Sequence, residues 1–385
     1  MKLNNLLNVN KVSTSPTDYR IGIMSSSGMG KTTTAFKLME KWCGDDYVIL
    51  DTGFEGGLKA LEGARSITTN TWEDFLEAVN AIIFSKINGE TNIKMVVIDT
   101  VDELQRGVEK YVLDKYNQTN HDGKVANSIN DAGLSFGAGL SQSTSKVLHV
   151  FSRLEDVGIT PFLVFHSQVR EVDDEISDKT YKELSSKLGT STFTNYITKL
   201  DVLGTIYMDR EIKEQSKMNF VGKLEKTGKI EDEKRIIVFR DETSSVRSKS
   251  RLENIVEAVE FTADNIDKAI RDAIKNATKL SDEDYKKRVK EVEENNNKIN
   301  VERNEKQNEL IKLAILTKFH NIMSSSDLSD VYEAFVEKVV KSKEVNSLND
   351  IIQDKEIKAE DIYDMVTTVA NKTLPTLLIT ELKEL

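Results

Sequence analysis

The sequence predicts an α/β fold: a mostly parallel sheet flanked by helices, followed by an α-helical C-terminal region. Three observations carry this expectation. A short apolar strand around 19–24 runs into Gly28-Met29-Gly30-Lys31-Thr32 and then a helix. Two further runs, Tyr47-Val48-Ile49-Leu50 and Met95-Val96-Val97-Ile98, are apolar on both faces, and each is followed by an aspartate, Asp51 and Asp99. Helical spacing separates them, and continuous apolar runs alternating with helices are the pattern of strands buried on both sides of a parallel sheet.

The first of these stretches reads as a phosphate cradle. Gly28 and Gly30 let the backbone wrap so that successive N–H groups point inward at an anion, and the following helix adds its positive end. The nine residues Ser25, Ser26, Ser27, Gly28, Met29, Gly30, Lys31, Thr32 and Thr33 would line it. Lys31 is placed to reach the β- and γ-phosphate oxygens of ATP, and the Thr32 hydroxyl to ligate the bridging Mg²⁺. Ser25 stands where the pattern G-x-x-x-x-G-K-[ST] has its first glycine. Asp99, at the end of an apolar strand, would hold a water of the Mg²⁺ shell beside Thr32. Asp102 and Glu103 read as acidic residues stabilising the start of a helix.

Composition narrows the class. A chain of 385 residues with 38% hydrophobic and 30% charged residues can bury a sizeable core and divides most simply into two or three domains. A formal net charge of -11 argues against wholesale electrostatic binding of nucleic acid, though not against a local basic groove. The one cysteine, Cys43, excludes an internal disulfide and suits a reducing compartment. The N-terminus has no apolar segment of signal-peptide length, and no apolar run reaches roughly 18 residues. A cytoplasmic protein without a membrane span is expected.

In chain order, residues 1–18 read as an extended N-terminal lead-in and 19–252 as the core. Within the core, a helix is expected over 71–87 with Thr71 as N-cap, and another from Thr100 to about Lys115. A glycine-spaced segment, Gly133 to Gly139, leads into a helix ending near Asp156. A fourth strand, 160–165, follows, then a charged, Ser/Thr-rich interval over 171–195 that reads as a long loop. Strands at 199–208, 217–224 and 235–240 follow in quick succession, as in an antiparallel sheet edge. From 253 to 385 the spacing is helical, with a long charged helix around 284–318. Its heptad-like steps lapse at Arg303 and Lys306, so it reads as a solvated connector, with a small bundle after it.

Several side chains could complete the chemistry. Glu55, between Gly53 and Gly56-Gly57, is a candidate base for the attacking water, against the simpler reading of a polar turn. Gln168, at the mouth of the 171–195 interval, is a candidate switch toward the γ-phosphate. His166 reads as a strand-end residue, because four histidines without clustering make a poor metal site. Lys249 and Arg251 form a short basic cluster that would either complete a phosphate site or lie on a solvated turn.

Taken together, Gly28 to Thr32, Asp51-Thr52 followed by Glu55-Gly56-Gly57, Val97-Ile98-Asp99, Phe165-His166-Ser167-Gln168 and Lys249-Ser250-Arg251 resemble the RecA-like core ATPases of bacteriophages. That family includes core-only recombinases that promote single-strand annealing. The resemblance covers roughly 19–252. It implies a RecA-like P-loop NTPase core, Glu55 as general base, Gln168 as γ-phosphate sensor and 171–195 as a DNA-facing mobile loop. It further implies that Lys249 and Arg251 reach the ATP of a neighbouring subunit. The chain differs from the family pattern at Ser25, in the two residues Gly53 and Phe54 ahead of Glu55, and in the acidic excess of 171–195. The expected protein is a Mg²⁺-dependent ATPase of phage recombination, repair or replication, a homo-oligomer on single-stranded DNA in the host cytoplasm. The competing reading is a nucleotide-dependent loader or adaptor whose helical tail binds a replication or recombination protein.

Overall fold

The computed structural model describes residues 12–53, 57–119, 125–174, 179–218, 224–241 and 245–384. The first half alternates strand and helix: β1 (Ile21–Ser25), α1 (Lys31–Cys43), β2 (Tyr47–Asp51), β3 (Ser66–Thr68), α2 (Trp72–Ile87), β4 (Met95–Asp99), α3 (Val101–Thr119) and α4 (Ala138–Asp156). Then come β5 (Thr160–Asp174), β6 (Lys179–Ser186), α5 (Thr190–Lys199), β7 (Val202–Met218), β8 (Leu224–Val238), β9 (Lys249–Ser250) and β10 (Ala258–Glu260). The remainder is helical: α6 (Ala263–Thr278), α7 (Asp282–Ser325), α8 (Ser329–Ser342), α9 (Leu348–Gln353), α10 (Ala359–Thr373) and α11 (Thr376–Lys383).

Among the described residues the strands form one sheet in the order β3, β2, β4, β5, β1, β7, β8, β10, with β6 paired to β5 and β9 to β7. From β3 to β7 the pairing is parallel, and β8 and β10 close the edge antiparallel. The strands that read as apolar on both faces are covered on both. Ile21, Ile23, Ile49, Val97 and Phe162 face α1 and α6, while Met24, Leu50, Ile98, Leu163 and Phe165 face α2 to α5. Thr71 caps α2 as its spacing predicts, accepting from the Asp74 N–H while the Asp74 carboxylate takes the Thr71 N–H, a reciprocal cap.

Three expectations are corrected. The described residues of the interval 171–195 are not a loop: β5 continues past Phe165 and pairs with β6 from Ser167↔Ser186 to Asp174↔Lys179, and α5 follows, while 175–178 lie outside the described residues. The outer part of this ribbon is exposed at Gln168, Val169, Glu171 and Asp173 of β5 and at Lys179 to Lys182 of β6, and an exposed strand needs no apolar alternation, so its charges hid it. The strand expected at 199–208 is the first part of a longer one, β7, which with β8 makes a second ribbon running to Met218↔Leu224; of the strand expected at 217–224, residues 219–223 lie outside the described residues. The long helix is α7, 44 residues, and its second half is not a solvated connector. Ile315, Leu316, Phe319, Ile322 and Met323 in its second half are buried in the same core as Trp72 and Phe75 of α2. Residue 252 is also no boundary of the sheet, since β10 pairs with β8 and α6 packs against α1. In the lead-in, Val12 and Thr14 offer carbonyls to Arg288 and Tyr285 of α7.

The helical region is held by a buried cation. Lys312, fully buried on α7, donates to the carbonyls of Ile351 (2.8 Å), Asp354 (2.6 Å) and Ile357 (3.1 Å), closing the turn after α9 onto α7. Burial pulls its pKa down, so the three carbonyls stand in for lost water. Lys312→Ala should therefore destabilise the protein by about 2–4 kcal/mol, from three orphaned acceptors and a cavity. Urea and thermal unfolding check this; an unchanged midpoint would mean that solvent replaces the ammonium at no cost.

Candidate functional site

The site forms where β1 ends. All five residues of β1 are buried, and the chain leaves the sheet at Ser25 into a loop whose glycines take left-handed backbone angles, φ 77° at Gly28 and 95° at Gly30. Those conformations cost a residue with a Cβ roughly 1–2 kcal/mol, which is why glycine stands at both. Ser26, Ser27 and Gly28 are exposed, Met29 is tucked beneath, and α1 starts at Lys31 with no acidic side chain in its first turn to cancel the positive helix end. Thr33 lies half-buried in that turn. The arrangement is an anion-binding loop and helix terminus.

Lys31 is only 6% exposed, and its ammonium is held by the Ser25 carbonyl (3.2 Å), the Ser26 carbonyl (3.1 Å) and Nδ1 of His166 (3.5 Å). Beside it the Thr32 hydroxyl donates to Oδ2 of Asp99 at 2.6 Å. Asp99 ends β4, level with Asp51 of β2 and Val164 of β5. Hydroxyl and carboxylate oxygens are hard donors that suit Mg²⁺. No cluster of three or more His, Cys, Asp or Glu among the described residues could hold a metal unaided. The donor set thus fits a Mg²⁺ that arrives with phosphate oxygens, the mode in which this ion keeps most of its waters.

The strand order brings in what the sequence did not show. β5 lies between β1 and β4, with Ser25 level with His166, so the end of β5 enters the space between Lys31 and Asp99. His166 is 5% exposed; its N–H donates to Oδ2 of Asp102 at 2.8 Å, and its carbonyl accepts from the Lys187 N–H at 2.8 Å. Asp102 is 5% exposed, and burial pushes its carboxyl above the usual range against the pull of the His166 N–H and of Lys31. It is thus more than a helix-start acid. Arg235 of β8 was also missed: its guanidinium meets the Met29 carbonyl at 3.4 Å, on the outer side of the loop.

The other residues singled out in the sequence stand as follows. Glu55 lies outside the described residues. Its described flanks, Gly53 and Gly57, close on Glu103 and Thr32: a Cβ at Gly57 would stand 3.3 Å from Oγ1 of Thr32. Gln168 is in the β5–β6 ribbon opposite Ser185, exposed, with its amide oxygen accepting from Nε and Nη2 of Arg170 at 3.0 and 3.1 Å. Lys249 and Arg251 are bound to the end of α5. Lys249 donates to the carbonyls of Ile197 (2.7 Å) and Thr198 (3.1 Å), and Arg251 to the Thr198 carbonyl (2.8 Å) and Asp201 (3.1 Å). Lys249 pairs with Leu203, which is level with Gly22, so both cations lie toward the start of β1. Three residues of strand, about 10 Å, separate that level from Ser25. The single chain does not bring them to its own phosphate loop.

A parallel sheet with a phosphate loop, a Lys-Thr pair and an acidic strand end defines a P-loop NTPase. Residues 17–252 match the model of the AAA domain family, and the chain belongs to that family. A curated relative, the SPbeta prophage-derived uncharacterized protein YorG of Bacillus subtilis (strain 168), is 22% identical over 255 residues, 66% of each chain. The chain thus spans just under two thirds of that relative's length. Among solved structures, an ATPase from the type III secretion system of pathogenic bacteria aligns over 49% of this chain and 52% of its own, at 16% identity and a TM-score of 0.33. No described helix is long and apolar enough to cross a membrane.

Asp99→Asn should raise the Mg²⁺ concentration for half-maximal nucleotide turnover by about 10–100-fold, the usual worth of a carboxylate acting through metal-bound water. Nucleotide binding in EDTA should stay the same. A Mg²⁺ titration of turnover measures this, and an unshifted curve would remove Asp99 from the metal site.

Proposed function

We propose that this chain is a Mg²⁺-dependent ATPase of phage DNA recombination, repair or replication, working as a side-by-side homo-oligomer on single-stranded DNA. The observation that carries the catalytic part is the junction of Lys31, Thr32 and Asp99 at one sheet end, with the hydroxyl 2.6 Å from the carboxylate. In this reading Lys31 neutralises the β- and γ-phosphate oxygens, and Thr32 and Asp99 hold the Mg²⁺ that supplies the remaining charge. Glu55 orients the attacking water, and Gln168 passes the phosphate state on to the ribbon. Lys249 and Arg251 serve the nucleotide of the neighbouring copy. Support for a macromolecular partner comes from the two ribbons, because β5 and β7 flank β1 and both run past its end on the phosphate side. The prophage origin of the relative fits a phage role.

The alternative is a nucleotide-dependent loader or adaptor. The β5–β6 ribbon does not decide between the two by charge, because Glu171, Asp173 and Asp174 stand against Arg170, Lys179 and Lys182, and Glu183 is buried beside Arg247.

Lys31→Ala should cut ATP turnover by about 10²–10³-fold, the cost of losing one charged stabiliser of the transferred phosphoryl group. Wild-type turnover should rise several-fold with single-stranded DNA and lose that rise at high salt. Steady-state phosphate release with and without DNA decides between the readings. Near-normal hydrolysis by Lys31→Ala would remove the catalytic assignment, and an unstimulated, DNA-blind wild type would favour the adaptor.

Mixing Lys249→Ala with Lys31→Ala should restore part of the turnover each lacks, since some interfaces would pair an intact loop with an intact basic cluster. No restoration at any ratio would exclude action across an interface.

A further inference from the structure

We propose that Leu134 and Phe136, at the tip of the turn between α3 and α4, insert into the cleft between α4 and α5 of a second copy of this chain, in a head-to-tail stack. The proposal rests on the homo-oligomer reading above and names a contact that would build it.

The tip is a built feature. Leu134 is 107% exposed and Phe136 84%, whereas Ala126 and Ala132 of the same segment are buried. Single exposed apolar residues are ordinary on a protein surface, but here two large ones stand two positions apart on a turn that the backbone fixes. The Gly137 N–H donates to the Asn130 carbonyl at 2.8 Å, the Ala138 N–H to the Ser135 carbonyl at 3.1 Å, and the Ser128 hydroxyl to Oδ2 of Asp131 at 2.6 Å. Gly133 and Gly137 take left-handed angles, φ 124° and 81°, and a Cβ at Gly139 would stand 2.7 Å from the Ala132 carbonyl.

The cleft suits such side chains. It encloses about 350 Å³ between α4 and α5, walled by Leu148 and Phe151 of α4, Pro161 and Leu163 of β5, and Leu200 beyond α5. Arg20, Glu155 and Lys199 form its rim. An apolar cavity of this size takes aromatic and aliphatic groups. The charges agree as well. Asp131 is the one charged side chain in 125–137. At the rim Arg20 is bound to Glu155, which leaves Lys199 exposed and without an ion pair among the described residues.

Topology puts tip and cleft at opposite ends of the sheet. α3 begins directly beyond the end of β4, and Gln105 in its second turn donates to Oγ of Ser143 in the second turn of α4 at 3.0 Å. The two helices therefore start level, and the tip stands at the phosphate end. α4 then returns to the start of β5, and α5 to the start of β7, so the rim of the cleft lies at the start of the strands. Lys249 and Arg251 lie at that same end, on the last carbonyls of α5. One displacement along the strands, about 28 Å for the 19 residues of α4, brings the tip of one copy to the cleft of the next. The same step brings the cations of that next copy toward the first copy's phosphate loop. Two pairs of features unrelated in sequence are thus satisfied by one heterologous contact.

The test follows assembly by light scattering and sedimentation velocity, with Mg²⁺ and a non-hydrolysable ATP analogue, in wild type, Leu134→Ser, Phe136→Ser and Ser152→Trp. The last fills the cleft from an exposed position on α4. Circular dichroism and melting confirm folding. Phe136→Ser should raise the protein concentration for half-assembly by about 30- to 1000-fold, the worth of one apolar anchor at an interface. Leu134→Ser and Ser152→Trp should shift it in the same direction. Phe136→Cys and Ser152→Cys, made in separate chains, mixed and oxidised, should join as unlike copies, since Cys43 is buried. A wild type that stays monomeric overturns the oligomer reading and the proposal with it. A wild type that assembles while Phe136→Ser assembles equally well overturns the proposal alone. Cross-links mainly between two Phe136→Cys chains would mean a two-fold contact of tips, and loss of single-stranded DNA binding with assembly intact would mean a nucleic-acid contact; either result overturns it.

Discussion

A lysine ammonium buried at the end of a parallel sheet has to be solvated by protein, and that requirement organises this molecule. Lys31 takes carbonyls from its own loop and a ring nitrogen from the neighbouring strand. The loop carbonyls are available only because Gly28 and Gly30 turn the backbone through conformations that side chains avoid. The ring nitrogen is available only because β5 lies between β1 and β4. The same interposition sets the spacing of Thr32 and Asp99, because β4 meets the loop across β5 and not as its direct neighbour. A donor and acceptor set assembled from three strand ends is rigid in the sense that catalysis by positioning needs.

The C-terminal helices are part of this rigidity. α2 to α5 cover one face of the sheet, and α7 to α11 pack onto them within a single apolar core. Polar links cross the same contact: Lys146 pairs with Glu384, Lys115 with Glu381, and Asn80 donates to Tyr363 and to the Lys383 carbonyl. Burial pulls the Lys318 ammonium down to about 8 in this layer. Removing everything after 252 would strip β10 and α6 from the sheet and expose a large apolar face. Loss of a partner after such a truncation would report unfolding as readily as a docking site, so surface substitutions on α8 and α10 are the sounder probe of any tail function.

Much of the geometry of the candidate site was legible in the sequence because it is local. The loop from Ser25 to Thr33, the strands ending at Asp51 and Asp99, and the Thr71 cap each depend on neighbours within a few residues, so spacing and residue type suffice. What was not legible depends on strand order. Nothing around His166 or Asp102 says that the two meet, since the contact joins positions 64 residues apart through a topology that periodicity does not encode. The β5–β6 ribbon escaped for another reason: its outer residues are exposed and carry no apolar alternation, and charge then reads as loop. In α7 the charged first half masked the burial of the second, because Lys312 is a cation in a core position and breaks the apolar pattern where the packing is tightest.

The placement of Lys249 and Arg251 sets a condition on assembly. Both are committed within the chain, to the last carbonyls of α5 and, for Arg251, to Asp201, near the start of β1. Burial together with the adjacent guanidinium lowers the Lys249 pKa, so a nearby anion would favour its charged form. A residue at the start of β1 can serve a phosphate loop at the end of β1 only in another copy, which requires the start of one sheet to lie toward the end of the next. When the copies stack head to tail the contact is heterologous: the patch on one copy differs from the patch that it meets, and repeating it closes a ring or extends a filament according to the rotation per step. A two-fold dimer meets the same condition only if its axis runs across the strands, so that the start of each β1 lies beside the end of the other and the cations of each copy face the loop of its partner. A two-fold axis along the strands pairs like ends and leaves the cations away from both loops.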